Sequence, residues 1–121
     1  MSKRILVVED TQNNRRILND LLTNAGFEVI EAVDGEKGVA MAAEQKPDLI
    51  LMDIQLPLVD GYEATRRIKA NPALGKIPII AVTSYALSGD DVKARAAGCD
   101  DYVTKPFSPR ALLAKVREHL A

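Results

Sequence analysis

The sequence predicts an α/β fold: five parallel strands, each followed by a helix, in a doubly wound (βα)5 three-layer sandwich. Three observations carry this. Short β-branched or apolar runs recur at 5–8, 28–32, 49–52, 79–82 and 101–103, with helical patterns between them. Strict alternation of that kind means βαβ units and a parallel sheet covered on both faces. The run Leu49-Ile50-Leu51-Met52 is apolar at every position, the pattern of a strand buried on both sides. At 121 residues, 47% of them hydrophobic, the chain has the size of one domain with a real core and not the composition of a disordered one.

The first strand, Ile5-Leu6-Val7-Val8, ends at the acid pair Glu9-Asp10. Ile17, Leu18, Leu21, Leu22 and Ala25 then recur at helical spacing until Gly26 stops them. The second strand leads through Asp34-Gly35, a turn signature, into a helix over 35–44 with Val39, Ala40 and Ala43 inward. The third strand runs into Asp53, after which Gln55, Leu56-Pro57 and Asp60-Gly61 mark a loop. A helix over 61–70 follows and stops before Pro72. A fourth helix, over 89–97, lies between Gly89 and Gly98 and offers mostly Ala inward. Burying Ala gains little beside the roughly 1.5–3 kcal/mol of a Leu or Val, so this element is expected to shift most easily. The last helix sets Leu112, Leu113, Val116 and Leu120 on one face. Right-handed crossovers and the flavodoxin-like strand order 2-1-3-4-5 put the ends of the first and third strands beside the switch point, where open α/β sheets bind ligands.

Sixteen basic and 17 acidic residues give a net charge of −1 without a basic run, so no nucleic-acid interface is expected. No apolar run approaches the roughly 20 residues of a membrane span. Met1-Ser2-Lys3-Arg4 leads straight into a strand rather than into a signal peptide. Cys99 is the single cysteine, which leaves no disulfide framework and no thiolate cluster. The expectation is a cytoplasmic protein, one domain over 1–121 without a separate output domain, monomeric or weakly dimeric.

Chemistry collects at one edge of the predicted sheet. Glu9 and Asp10 follow the first strand, Asp53 ends the third, Thr83 ends the fourth and Lys105 follows the fifth. Carboxylates about 4 Å apart repel by roughly 4 kcal/mol at an effective dielectric near 20. A hard cation with oxygen ligands offsets that, and Mg²⁺, with Mn²⁺ as a substitute, needs only one or two carboxylates plus other oxygens. With Lys105 as a fixed positive charge and Thr83 as a hydroxyl donor, the edge suits a dianionic phosphoryl group. Asp53 is then the nucleophile that forms an aspartyl phosphate.

Each residue alone has a plainer reading. Asp10 or Thr11 would cap the first helix, Glu9 would be a solvated strand end, and Asp53 a turn residue. Thr83 would be a β-branched strand residue and Lys105 a surface lysine. Only their joint placement favours a site. Cys99 reads as a small filler. His119, with no acid or thiol partner in its neighbourhood, reads as a complement to the helix dipole, and Asp90-Asp91 suits the first turn of the fourth helix. Asp100-Asp101 reads as solvated. Two other function classes fit less well. A phosphohydrolase with an aspartyl nucleophile needs a second acid two residues on, where this chain has Gln55, and an inserted cap segment. A flavodoxin-like cofactor binder needs a hydroxyl- or Gly-rich loop at a helix N-terminus, where this chain has Glu9-Asp10. No GxGxxG or GxxxxGK pattern is present.

Over essentially all 121 residues the chain resembles the receiver domain of two-component response regulators. The resemblance rests on Val7-Val8-Glu9-Asp10 with Asn14, on residues 47–53, and on Leu56-Pro57 and Gly61. It continues through Ile77-Pro78, Ala81-Val82-Thr83, Gly89-Asp90, Ala97-Gly98 and Tyr102-Val103-Thr104-Lys105-Pro106-Phe107. Among single-domain members the chain is most similar to the DivK type. The resemblance implies that Asp53 accepts a phosphoryl group from a sensor histidine kinase or histidine phosphotransfer protein. It implies that Asp10, Asp53 and the backbone carbonyl of Gln55 bind Mg²⁺, with Glu9 acting largely through a water on the metal. Thr83 and Lys105 would bind phosphoryl oxygens, and the Lys105–Pro106 peptide would be cis. Tyr102 would be the switch aromatic, turning into space that Thr83 leaves. The surface of the fourth helix, fifth strand and fifth helix would then change for a downstream partner. Ser84 stands where Ala or Gly is usual, and Gln55 and Tyr85 stand where side chains set phosphoryl lifetime.

Overall fold

A β-branched or apolar run followed by an amphipathic helix occurs five times, and each becomes one βα unit. The computed structural model describes residues 2–83 and 90–121. In order, β1 is Arg4–Val8, α1 Gln12–Asn24, β2 Glu28–Ala32, α2 Gly35–Gln45 and β3 Leu49–Asp53. They are followed by α3 Gly61–Lys69, β4 Ile79–Thr83, α4 Asp90–Ala97, β5 Asp101–Thr104 and α5 Pro109–Leu120. The five strands form one parallel sheet in the order β2-β1-β3-β4-β5, as predicted. Ser84, Tyr85 and Gly89 lie outside the described residues.

Side-chain alternation along the strands divides the core in two. Leu6, Val8, Ile50, Met52, Ile79 and Ala81 belong to the cluster shared with Ala42, Ala64, Ile68 and Ala94 of α2, α3 and α4. Ile5, Val7, Leu49, Leu51, Ile80 and Val82 belong to the other, with Leu18 and Leu22 of α1 and Leu112 and Val116 of α5. β3 is buried at all five positions, Asp53 included. The strand that carries the acid is therefore braced by both core layers.

Several local expectations change. The inward face of α2 is Gly35, Gly38 and Ala42, with Val39 half-buried, while Ala40 and Ala43 are exposed. The cause is a close approach: a Cβ on Gly38 would stand 2.9 Å from both methyl carbons of Val8, so only the small residues can face the sheet. Asp34 is the N-cap of α2, accepting the Lys37 N–H at 2.7 Å, and not merely a turn residue. Ile17 leaves the α1 stripe and is 53% exposed. In α4 the buried residues Ala94 and Ala97 are small, and Val92 is exposed.

Asp100 and Asp101 are not simply solvated, and His119 does have an acidic partner. Asp100 accepts from Lys69 Nζ and from the Ile79 N–H. Asp101, the first residue of β5, accepts from Lys115 Nζ at 2.9 Å and pairs with His119 Nε2 at 3.1 Å. It also accepts the Tyr102 N–H at 2.8 Å. These contacts tie the second half of α5 to the start of β5. Burial pushes the Asp101 carboxyl up, but the hydrogen bonds from Lys115, His119 and the Tyr102 amide outweigh it, and the group ends below its ordinary value. The unfolded chain thus binds the extra proton as pH falls through the usual aspartate value of about 3.9. The stabilisation is complete above that value and is lost as pH drops through the lower folded value. Asp101→Asn is accordingly expected to cost about 1–3 kcal/mol near neutrality, with the gap in Tm to the parent closing below about pH 4. Melting curves of both proteins between neutral pH and pH ~3 check this; a gap that widens in acid would contradict it.

Candidate functional site

β1 and β3 are neighbours in register, Val8 beside Met52, so the residues that leave β1 emerge beside the end of β3. Glu9 still donates its N–H to Ala32 O at 3.1 Å, extending the ladder by one residue and fixing where its side chain goes. Glu9 is 1% exposed and Asp53 4%, which overturns the solvated reading of Glu9; Asp10 beside it is exposed. Thr11, not Asp10, holds the N-cap position of α1, and its side chain makes no capping bond.

The carboxylate oxygens of Glu9, Asp10 and Asp53 lie within 4.8 Å of one another. Lys105 Nζ stands 3.1 Å from Glu9 Oε1 and 3.6 Å from Asp53 Oδ1. Burial holds the Glu9 carboxyl above the usual range, and its hydrogen bond to Asp53 and that group's charge add to the effect, against the pull of Lys105. Two buried acids thus share one ammonium, with a third acid at the mouth.

Lys105 reaches the acids from the turn after β5. Its N–H donates to Thr83 O at 2.6 Å, and the Lys105–Pro106 peptide is cis. Thr83 ends β4 and is buried, one residue past Val82, which pairs with Asp53. Gln55 follows two residues after Asp53 and donates its N–H to Asp53 Oδ1 at 3.3 Å. Tyr102 sits half-buried on β5, paired with Ala81 and packed on the side of α2, α3 and α4. The structure therefore brings one oxygen each of Glu9, Asp10 and Asp53 within 4.8 Å of one another, sets Lys105 against Glu9 and Asp53, leaves Thr83 and Gln55 at the edge of the cluster, and places Tyr102 on β5.

The loop after β3 is built to hold Asp53. Gly61 N–H donates to Ile54 O at 3.0 Å, and the Asp60 side chain caps α3 by accepting the Glu63 N–H at 2.9 Å. Leu58, in the same loop, is fully exposed with φ at +66°. Beside the site, α1 and the β5–α5 connection enclose a groove of about 420 Å³ lined by Asn14, Ile17, Leu18, Lys105, Pro106, Phe107 and Pro109. Sequence reasoning missed two participants. Ile17 belongs to this groove rather than to the core. Arg15 donates from Nη1 to the carbonyls of Glu9 and Asp10 at 2.9 and 3.0 Å; a cationic residue one turn into the helix after the acids is the only sequence signal for it.

Among the described residues, Glu9, Asp10 and Asp53 are the one group of three side chains able to share a metal ion. All are hard oxygen donors, and three carboxylates face one ammonium. That donor set fits Mg²⁺ rather than a thiophilic or imidazole-preferring metal. No helix among the described residues is long and apolar enough to cross a membrane.

Comparison with known proteins agrees. The model of the response regulator receiver domain matches residues 5–117. The polar-differentiation response regulators DivK of Brucella anthropi and Brucella ovis are each 40% identical over 120 residues, covering 99% of this chain and 98% of theirs. The receiver domain of a sensor histidine kinase from Pseudomonas aeruginosa PAO1, crystallised with a magnesium ion coordinated in its active site cleft, superposes with a TM-score of 0.92. It is 38% identical, over 99% of this chain and 98% of that one. The chemotaxis protein CheY4 of Vibrio cholerae gives a TM-score of 0.93 at 27% identity, over 99% and 100% of the two chains. Receiver domains are signalling proteins that bind Mg²⁺ at an acidic pocket, and the acid cluster at the ends of β1 and β3 has a donor set that fits such binding. The chain belongs to the response regulator receiver domain family of two-component signalling.

Proposed function

We propose that this chain is a stand-alone, DivK-like response regulator that takes a phosphoryl group onto Asp53 and thereby changes what its α4–β5–α5 surface binds. The observation that carries this is the pairing of Asp53 with Glu9, Asp10 and Lys105 at the mouth of a rigid strand. Asp10, Asp53 and the Gln55 carbonyl would hold Mg²⁺, or Mn²⁺ in its place, with Glu9 acting through water. The ion would neutralise charge as a dianionic phosphoryl group approaches three acids.

The donor is a phosphohistidine on a sensor kinase or phosphotransfer protein. The apolar groove with exposed Ile17, immediately beside Lys105, gives that donor's helices a place to seat. A carboxylate oxygen of Asp53 attacks phosphorus, the new P–O bond forms, and the P–N bond to the donor imidazole breaks. The donor ring reacts with a proton on its other nitrogen, so the departing nitrogen keeps the electron pair of the broken bond and the donor leaves as neutral imidazole. Lys105 turns from the acids to a phosphoryl oxygen, and the Thr83 hydroxyl donates to another. Those contacts exist only in the phosphorylated state, so they are the differential affinity that shifts the equilibrium. Tyr102 follows Thr83 inward, and α4, held through Ala94 and Ala97, moves with the least loss of burial. The same geometry permits self-phosphorylation from small phosphodonors and slow hydrolysis of the aspartyl phosphate. The partner downstream is a protein, and the setting we assign is the cytoplasm, with the chain as monomer or weak dimer.

The test is uptake of label from acetyl phosphate. We expect label in the presence of Mg²⁺ and a fall of roughly 100-fold or more when the ion is chelated. Pull-downs with beryllofluoride-treated protein should recover a partner that untreated protein does not. Equal labelling with and without the chelator would sink this reading.

A further inference from the structure

We propose that Arg15 is a positioning residue that sets the affinity of the acidic pocket for its divalent cation, with Glu31 as its anchor. The inference rests on the reading of Glu9, Asp10 and Asp53 as a Mg²⁺ site.

Glu9 and Asp10 are consecutive, and both must present carboxylates to one point. Their backbone N–H groups are already committed, Glu9 to Ala32 O at 3.1 Å and Asp10 to Glu9 Oε2 at 3.1 Å. Their carbonyls are held by one nitrogen: Arg15 Nη1 donates to Glu9 O at 2.9 Å and to Asp10 O at 3.0 Å. Arg15 is itself located by the first turn of α1, where its N–H donates to Thr11 O at 3.0 Å.

The guanidinium does not float. Its Nε lies 3.4 Å from Glu31 Oε1, and the Arg15 side chain is only 15% exposed. The other Glu31 oxygen accepts from Asn19 Nδ2 at 2.7 Å, and Asn19 Oδ1 accepts from the Thr23 hydroxyl at 3.0 Å. Glu31 belongs to β2, in register with Val7 of β1. A continuous set of polar contacts therefore runs from the sheet, through α1, to the turn that carries two of the three acids.

Mg²⁺ tolerates little departure from octahedral geometry, and outer contacts that orient ligands control metal affinity. Without the clamp, repulsion among the acids is free to spread the Glu9–Asp10 turn. Arg serves both ends at once, with Nη1 on the two carbonyls and Nε against Glu31, whereas the single nitrogen of Lys cannot hold the carbonyls and the anchor together. The sign of the effect separates positioning from simple electrostatics. As a bare positive charge near the pocket, Arg15 would weaken cation binding, and its removal would tighten it. As a clamp, its removal weakens binding.

The experiment is a Mg²⁺ titration of the metal-free protein by calorimetry, or by NMR shifts of the residues around Asp53, on the parent, Arg15→Gln, Arg15→Lys and Glu31→Gln. Phosphorylation rate against Mg²⁺ concentration is measured alongside. Arg15→Gln should raise the Mg²⁺ dissociation constant by about 10-fold, with Arg15→Lys and Glu31→Gln raising it by less. The phosphorylation plateau at saturating Mg²⁺ should stay near that of the parent. An unchanged or tighter constant in Arg15→Gln overturns the inference. If that variant folds poorly, parental affinity in both Arg15→Lys and Glu31→Gln overturns it equally. A parent that binds no Mg²⁺ overturns the underlying site reading instead, and with it this one.

Discussion

Asp53→Asn is expected to take up no measurable phosphoryl group from acetyl phosphate and Mg²⁺ under conditions that should label the parent. The substitution is nearly isosteric, so on the proposed function it removes only the anionic oxygen that would attack phosphorus and one negative ligand for the cation. Loss of a nucleophile that acts as a unit with its neighbours costs on the order of 10⁴-fold or more, which is beyond detection for a slow acceptor. The same substitution should leave the metal-free fold intact or make it more stable. Asp53 is 4% exposed and lies against the buried Glu9, whose carboxyl is raised chiefly by burial and then by Asp53 itself. Removing that charge relieves Glu9 and leaves Lys105 its shorter contact, 3.1 Å to Glu9 Oε1. Mass spectrometry of the labelled proteins and melting curves without metal read the two effects separately. Parental labelling of Asp53→Asn would place the acceptor elsewhere, and a collapse of its Tm would make the loss of label uninformative about chemistry.

The strands and their order were legible because their signal is local. Five short apolar runs need no knowledge of the fold to be found, and a run of four apolar residues that ends at a carboxylate and a turn signal suits a central strand. The acid cluster was legible for a related reason: topology alone brings the ends of β1 and β3 together, as the Val8–Met52 pairing does. What stayed hidden depends on how closely two elements approach. Val39, Ala40 and Ala43 look like the inward stripe of α2 until Val8 is seen to leave room only for Gly38. The spacing of Gly35, Gly38 and Ala42 was the available clue. Pairings across elements were equally out of reach. His119 and Asp101 are 18 residues apart, and nothing in either neighbourhood announces the other. Ile17 fits the α1 stripe by period, yet that stripe is wider than the face the sheet can cover, and its edge became the groove beside Lys105. Glu9 was ambiguous because the burial of a strand-end acid depends on whether a counter-charge arrives from elsewhere, here from a residue 96 positions away.

Gly61→Ala should damage both stability and phosphorylation, although helix propensity argues the opposite. Gly61 opens α3, where Ala would be favoured by up to about 1 kcal/mol. Space decides against it. A Cβ at this position would lie 2.2 Å from the Asp53 carbonyl oxygen and 2.6 Å from the Ile54 Cα. Both are backbone atoms, so no side chain can swing aside, and the loop between β3 and α3 must move by roughly 1 Å to reach ordinary contact. Forcing an extra methyl into a packed site costs about 1–3 kcal/mol and sometimes more, which exceeds the propensity gain. A net loss of about 1–2 kcal/mol corresponds to a fall in Tm of roughly 4–8 °C in a domain of this size. The displaced group is the peptide of Asp53 itself, and a shift of about 1 Å in a reacting group can cost about 100-fold in rate. Gly75→Ala is the matched control, because a Cβ there meets nothing closer than 3.9 Å, and it should melt and label like the parent. If thermal denaturation and acetyl phosphate labelling fail to separate the two variants, the close packing of α3 on Asp53 is not what holds the nucleophile in place.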